Sequence, residues 1–251
     1  MARKANGSFY CGTSNVVLPV PNKAHLPPEY RDKTRLHYYG TLFNSVEINS
    51  SFYKIPMSST TAKWADDVPA DFRFTFKLWK GITHGRELNY EPADVDRFLQ
   101  AINGVGDKKG CLLVQLPASI KVSYFQKIRK LLGDITGSGL ADVWKLAVEF
   151  RDKSWYRDTV YELLEEYGAA VVIHDMPRSA TPMIDMEAGH VYLRFHGEKG
   201  DYRGGYTDEY LEEQAENIND WQAEGKQVFA YFNNTMGDAV HNAMALKNYR
   251  R

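Results

Sequence analysis

Eight short apolar runs recur along the chain, and a charged segment with helical spacing separates nearly every pair of them. The runs are SFYCGT, NSVEINS, RFTFKL, CLLVQLP, KLAVEFR, AVVIHD, VYLRFH and VFAYFN. Between or after them, PEYRDKTRLHYYGTLF, PADVDRFLQAIN, SYFQKIRKLLGD, DTVYELLEEYG, DEYLEEQAENINDWQAEG and DAVHNAMALKNY place apolar residues three and four apart. That spacing covers one face of a helix. The connector SSTTAKWADD is predicted as a shorter helix with Ser58 or Ser59 as its N-cap. Only the link between the sixth and seventh runs lacks a helical pattern. Strands alternating with helices make βα units and a parallel sheet. Eight such units close into a TIM-type (β/α)8 barrel of the α/β class. The competitor is an open doubly wound sheet. Its Gly-rich first turn is absent, because Gly12-Thr13-Ser14 is followed by no second glycine. A chain of 251 residues, 43% hydrophobic, suits one barrel domain spanning residues 1–251.

Charge and composition narrow the function classes. The formal net charge is -1, so no global basic field draws the chain to nucleic acid or to an anionic membrane. The acidic segments YELLEEYG and DEYLEEQAENIND also disfavour nucleic acid. No apolar run approaches the roughly 18 residues that cross a bilayer. The start, MARKANGSFYCG, lacks the apolar core of a signal peptide. Cys11 and Cys111 stand far apart without CxxC spacing and read as buried free thiols in a reducing compartment. These observations predict a cytoplasmic protein. Nothing in the residues sets an oligomeric state.

Residues two apart on a strand share a face. In the second run Ser45, Glu47 and Asn49 oppose Val46 and Ile48. Thr75 and Lys77 oppose Phe74 and Phe76 in the third, and Leu113 and Gln115 oppose Leu112 and Val114 in the fourth. Ala147, Glu149 and Arg151 oppose Leu146, Val148 and Phe150 in the fifth. Tyr192, Arg194 and His196 oppose Val191, Leu193 and Phe195 in the seventh. Tyr231 and Asn233 oppose Ala230 and Phe232 in the eighth. The bulky apolar sets belong under the helices, so the other sets face the barrel axis. Their polar members gather at the C-terminal strand ends, where barrels carry their active sites. The sixth run is less regular. Asp175 ends it, and His174 is assigned to the face behind the sheet.

The strand ends NSVEINSSFY, FRFTFKLWKGITH, VQLP, AVEFRDKSW, HDMP, YLRFHG and YFNNTMGDAVHNA resemble, in order, those of domain-of-unknown-function family 72, the YecE-like proteins. The resemblance runs from Gly12 to about Leu246. It implies a TIM-type barrel and no assigned reaction. The first motif departs from the family's usual GTSGW and reads Gly12-Thr13-Ser14-Asn15-Val16.

The expected mouth sets Glu47, Glu149 and Asp175 against Lys77, Arg151 and Arg194, with Asn49, Tyr53, His84, Gln115, His196 and Asn233 around them. Such a pocket suits acid–base chemistry on a small anionic or polyhydroxylated molecule, of the hydrolase, lyase or isomerase kind. Glu149 is the predicted proton-transfer group, its acidity tuned by Arg151, with His196 as the second proton carrier. Arg194 is predicted to grip a carboxylate or phosphate, and Lys77 to act as a point charge or as an amine toward a carbonyl substrate. Glu47, Asn49, Tyr53, His84, Gln115, Arg151, Asp175 and Asn233 complete the binding set. Phe52, Tyr53, Trp79, Trp155 and Tyr202 follow strand ends and are rings for stacking or for lids. Glu47 and Glu149 are also the candidate pair of a glycosidase. No cofactor is predicted. A divalent metal on Glu47, Glu149, Asp175 and His196, serving a hydrolase or isomerase, is the alternative, although the three cations oppose it. The rival from another class is a ligand-binding or scaffold protein, its charged ring no more than ion pairs closing the barrel top.

Overall fold

The computed structural model describes residues 7–182, 184 and 187–250. Its strands are β1 (Phe9–Thr13), β2 (Ser45–Ile48), β3 (Arg73–Lys77), β4 (Lys109–Gln115), β5 (Lys145–Glu149), β6 (Ala170–His174), β7 (His190–Phe195) and β8 (Gln227–Phe232). They form one parallel sheet in the order β1-β8-β7-β6-β5-β4-β3-β2. A bridge between Ser14 and Glu47 brings β1 to β2 and nearly closes the TIM-type barrel. The helices are α1 (Arg35–Leu42), α2 (Ser50–Tyr53), α3 (Ser58–Asp66), α4 (Lys80–Thr83), α5 (Pro92–Ile102), α6 (Phe125–Gly137), α7 (Asp158–Glu166), α8 (Asp208–Ala223) and α9 (Ala239–Tyr249). None is long and apolar enough to cross a membrane among the described residues.

The alternation does what its period dictates. Val46, Ile48, Phe74, Phe76, Val148 and Leu193 are buried between sheet and helices, in one continuous core. Burying each such side chain contributes roughly 1.5–3 kcal/mol. The barrel interior carries a separate cluster that includes Leu113, Ala147, Val172, Tyr192 and Tyr231. Cys11 and Cys111 are buried free thiols, as expected.

Three local expectations change. Helix α1 starts at Arg35, where the Thr34 hydroxyl accepts from the His37 N–H; residues Pro28–Tyr30 form a separate turn of 3-10 helix. Helix α3 begins at Ser58 with Met57 as its N-cap, so neither Ser58 nor Ser59 caps it. Strand β6 overturns the assignment of His174. Val172 pairs with Tyr192 and His174 with Arg194, both inward residues of β7, so His174 also faces the axis. Its apolar run gives no polar alternation from which to read the face.

The β1–β2 seam is closed by side chains where the backbones splay. Asn44 accepts from the Cys11 N–H at 2.9 Å and donates to Phe9 O at 2.8 Å. The Tyr39 hydroxyl accepts from the Thr13 N–H at 2.7 Å and donates to Ser45 O at 3.1 Å. A Cβ on Gly12 would lie 2.0 Å from Ser45 O and 2.4 Å from that hydroxyl, so this position admits only glycine. Tyr39→Phe is therefore expected to cost roughly 1–3 kcal/mol, because it orphans a buried N–H and a buried carbonyl. Urea unfolding measures it, and an unchanged midpoint would show that the hydroxyl does not hold the seam.

Candidate functional site

Above the apolar interior, a buried ion network crosses the barrel. Glu47 Oε1 accepts from Ser14 Oγ at 2.6 Å and from Arg194 Nη2 at 2.7 Å. Its Oε2 accepts from Tyr192 Oη at 2.5 Å and from Arg194 Nε at 2.8 Å. Four donors thus occupy the roughly four lone-pair sites of one carboxylate. Arg194 Nη1 donates to Glu149 Oε2 at 2.6 Å, and Arg151 Nε donates to Glu149 Oε1. Glu47 and Glu149 are fully buried, and Arg194 is 1% exposed. Burial alone would push both carboxyls up. For Glu47 the Arg194 guanidinium outweighs it and holds the group below the usual carboxylate range. For Glu149 the Arg151 and Arg194 charges hold it well below.

His196 sits behind this network. Its Nε2 faces Arg151 Nη2 at 3.1 Å and Arg194 Nη1 at 3.2 Å. Guanidinium groups only donate, so Nε2 accepts and the proton sits on Nδ1. Nδ1 then donates to Asp175 Oδ1 at 3.2 Å, and the His196 N–H donates to the same oxygen at 2.8 Å. Tyr206 Oη donates to Asp175 Oδ2 and accepts from the Gly197 N–H at 2.6 Å. Burial lowers the His196 pKa to about 4, with Arg194 and Arg151 adding to it against the Asp175 hydrogen bond. The imidazole is neutral at neutral pH. His174 donates from Nε2 to Phe150 O at 2.9 Å, and its ring lies 5.7 Å from that of His196.

The pocket lies outside this layer, at the C-terminal end of the strands. Its volume is about 370 Å³, and Asn15, Asn49, Phe52, Tyr53, Lys77, His84, Gln115, Pro117, Arg151, Arg194, Tyr202 and Asn233 line it. The lining holds three cations and four carboxamides, and no carboxylate. Helices α2 and α4 place Phe52, Tyr53 and His84; Ser51 Oγ lies 2.7 Å from the carbonyls of Ile48 and Lys77 and ties these strand ends together. Lys77 Nζ has no hydrogen bond or ion pair among the described residues and rests 4.2 Å from the centre of the Phe52 ring. Burial, with the Arg194 charge second, brings its pKa down to about 8. Burial also lowers His84 to about 4, helped by Lys77 and Arg151. Asn49 Oδ1 is buried without a partner among the described residues. Asn15 and Tyr202 hold left-handed backbone, at φ 64° and 65°. Asparagine tolerates that region, whereas a bulky residue there stores strain, and such outliers cluster at functional sites.

Residues 10–251 match the family described as "Protein of unknown function DUF72". The chain belongs to the DUF72 family. The resemblance carried by the strand-end motifs is thereby borne out. The UPF0759 protein YunF of Bacillus subtilis (strain 168) is 27% identical over 252 residues, covering 86% of each chain. The UPF0759 protein YecE of Escherichia coli O157:H7 is 28% identical over 142 residues, 57% of this chain and 52% of that one. A crystal structure of a DUF72 family protein from Thermotoga maritima superposes with a TM-score of 0.75 at 27% identity, covering 96% of this chain and 98% of that chain.

In this DUF72 chain the predicted site residues separate into two layers. Asn49, Tyr53, Lys77, His84, Gln115, Arg151, Arg194 and Asn233 line the pocket. Glu47, Glu149, Asp175 and His196 do not; Glu47, Glu149 and His196 bond the two arginines from behind, and Asp175 holds His196. Of the three residues predicted to carry chemistry, Lys77 alone faces the pocket. Glu47 and Glu149 grip one guanidinium, which leaves no room for a glycosidic bond between them. Among the described residues, no three His, Cys, Asp or Glu side chains are placed to hold one metal ion. Trp155 is wholly buried and stacks on Phe150, and Trp79 lies beside Arg97 away from the pocket. Ser14, Asn15, Tyr206 and the inward His174 escape the sequence reading. Residues two apart along β1 put Ser14 on the face of Tyr10 and Gly12, and Tyr10 packs against the interior cluster. Nothing local signals Tyr206, whose partner is 31 residues away.

Proposed function

We propose that the protein is an enzyme that binds a small anionic, hydroxylated molecule in the barrel mouth and moves a proton on it, with Lys77 as the acid–base group. The Lys77 ammonium, in the pocket lining and without an ion pair among the described residues, carries this reading. Arg151 and Arg194 have their charges met from behind and still present donors to the pocket, where an anion would meet them. The Asn49 oxygen, without a partner among the described residues, calls for a hydroxyl donor, and the other carboxamides add hydrogen bonds to a polyhydroxylated ligand. A volume of about 370 Å³ suits a small metabolite. Glu149 and His196 take a supporting role: they fix the two guanidinium groups.

A thermal-shift panel of sugar phosphates and sugar acids, set against the same sugars uncharged, tests the reading. At a hundredfold excess over Kd a ligand adds about 2.7 kcal/mol, or roughly 5–10 °C for a chain of this size. Anions are expected to produce shifts of that order, reduced in Arg151→Gln. Equal silence from anions and neutral sugars at matched ionic strength would remove the reading. Ligands that bind are then followed by proton NMR in D2O. Loss of a carbon-bound proton signal marks turnover, and its absence across all binders would leave a binding protein.

A further inference from the structure

We propose that Lys77 forms an imine with its ligand, so that the substrate is an anionic aldehyde or ketone whose carbonyl carbon reaches the Lys77 amine while its anionic group lies on Arg151 and Arg194. This inference rests on the anion-binding reading of the pocket and adds a covalent step to it.

Four observations converge. Lys77 Nζ has no carboxylate partner among the described residues, although Glu47 and Glu149 lie behind the pocket wall; both are consumed by Arg194. A lysine serving only as a structural cation would be expected to hold one of them. Nζ lies over the face of Phe52, at 4.2 Å from the ring centre. That contact is apolar enough to accept a neutral amine, and it still favours the protonated imine, which is a cation. Two guanidinium groups share the pocket with the amine, the arrangement that makes a lysine nucleophilic near neutral pH. Burial first, and the Arg194 charge second, bring the Lys77 pKa down to about 8, where about half of the amines are neutral. Finally, the His84 ring stands 4.8 Å from the same Phe52 ring, so both groups flank one small volume. With its Nδ1 2.9 Å from Thr83 Oγ1 and its charge suppressed, His84 is a neutral proton carrier at the place where water must leave.

The step balances without a cofactor. The amine lone pair forms the C–N bond as the carbonyl π electrons move to oxygen, and a proton passes from nitrogen to that oxygen to give a carbinolamine. The oxygen takes a second proton from solvent through His84 and leaves as water, which yields the protonated imine. Asn49 Oδ1, which has no partner among the described residues, accepts a hydrogen bond from the carbinolamine hydroxyl or from a hydroxyl beside the carbonyl.

Reductive trapping tests the proposal. Wild-type protein is incubated with pyruvate, glyoxylate or dihydroxyacetone phosphate and sodium cyanoborohydride, then examined by intact mass and peptide mapping. One adduct on Lys77 is expected with at least one of the three. It should form roughly ten- to a hundredfold faster than on Lys54 or Lys80, which do not line the pocket shared with Arg151 and Arg194. The rate should rise as pH passes about 8. Lys77→Arg, which keeps the charge, should lose the adduct while retaining thermal stabilisation by inorganic phosphate. Adducts spread evenly over surface lysines, or none on Lys77 with any of the three, overturn the proposal. If phosphate or gluconate still stabilises the wild type in that case, the imine alone falls; if neither does, the anion reading falls with it.

Discussion

Arg194→Met is expected to destabilise the protein by roughly 3–5 kcal/mol, because it strands the buried Glu47 carboxylate and takes one of two cations from the buried Glu149. Glu47 and Glu149 are fully buried, and each spends at least one oxygen on this guanidinium. Glu149→Gln is expected to cost less, since Arg194 keeps Glu47 and loses only one of its two countercharges. The pH dependence follows from the direction of the shifts. Both carboxyls titrate below their ordinary value of 4.5 in the folded protein. Their stabilisation is therefore complete above about pH 4.5 and is lost as pH falls through the depressed folded values. In Arg194→Met both carboxyls keep their burial; Glu47 loses its only guanidinium partner and Glu149 keeps Arg151 alone, so both pKa values rise, that of Glu47 the more. The gap between wild type and variant should then narrow on acidification. Urea unfolding at neutral pH and near pH 4 measures both effects. A variant as stable as the wild type at neutral pH would mean that the network does not hold the mouth together.

Lys77→Met is expected to act in the opposite sense on stability. An amine whose pKa falls from 10.5 to about 8 on folding binds fewer protons in the native state than in the unfolded one between those values. The ammonium therefore opposes folding below about pH 8, and that penalty is relieved as pH rises toward 10.5. Replacing it with an uncharged chain of similar length should raise stability at neutral pH by roughly 1–3 kcal/mol, allowing for the side chain's partial exposure to water. The same substitution should abolish imine trapping and weaken stabilisation by anions at least about tenfold in affinity, as expected for the loss of a charged contact. A gain in stability coupled to a loss of binding is the signature of a residue kept for chemistry at a cost to the fold. Loss of stability at neutral pH would show instead that Lys77 is a structural cation.

Much of the barrel is legible in the amino-acid order. Eight runs of period two alternating with segments of period 3.6 leave few folds that bury both patterns. The parity of β2, β3, β4, β5, β7 and β8 correctly separates residues under the helices from residues on the axis. It fails on β6, where Ala170, Val172 and His174 share an apolar run with Val171 and Ile173. With no polar residue before His174, period two has nothing to mark the inner face, and only pairing with β7 settles it. Eight of the twelve predicted site residues reach the pocket: Asn49, Lys77, Gln115, Arg151, Arg194 and Asn233 through inward parity at a C-terminal strand end, and Tyr53 and His84 from the connections that follow β2 and β3.

The division of labour among those residues belongs to the tertiary structure. From the residues alone, Glu149 looks like the acid–base group and Lys77 like one cation among three. Period two says which way a side chain points, and says nothing of its height along the barrel axis relative to a strand far away in sequence. That height comes from the register and stagger of eight strands around a closed sheet. It brings Glu47 and Glu149 from β2 and β5 onto the guanidinium of Arg194 on β7, at hydrogen-bond distance. Glu47 is buried with four donors on its oxygens, and Glu149 is buried between two guanidinium groups and lines no part of the pocket, so both serve as countercharges. By the same stagger Lys77 stands above the level of that network, against Phe52 and without a countercharge among the described residues. The sequence by itself determined which residues meet at the mouth; the packing of distant strands decided which charges cancel and which one stands without a countercharge among the described residues.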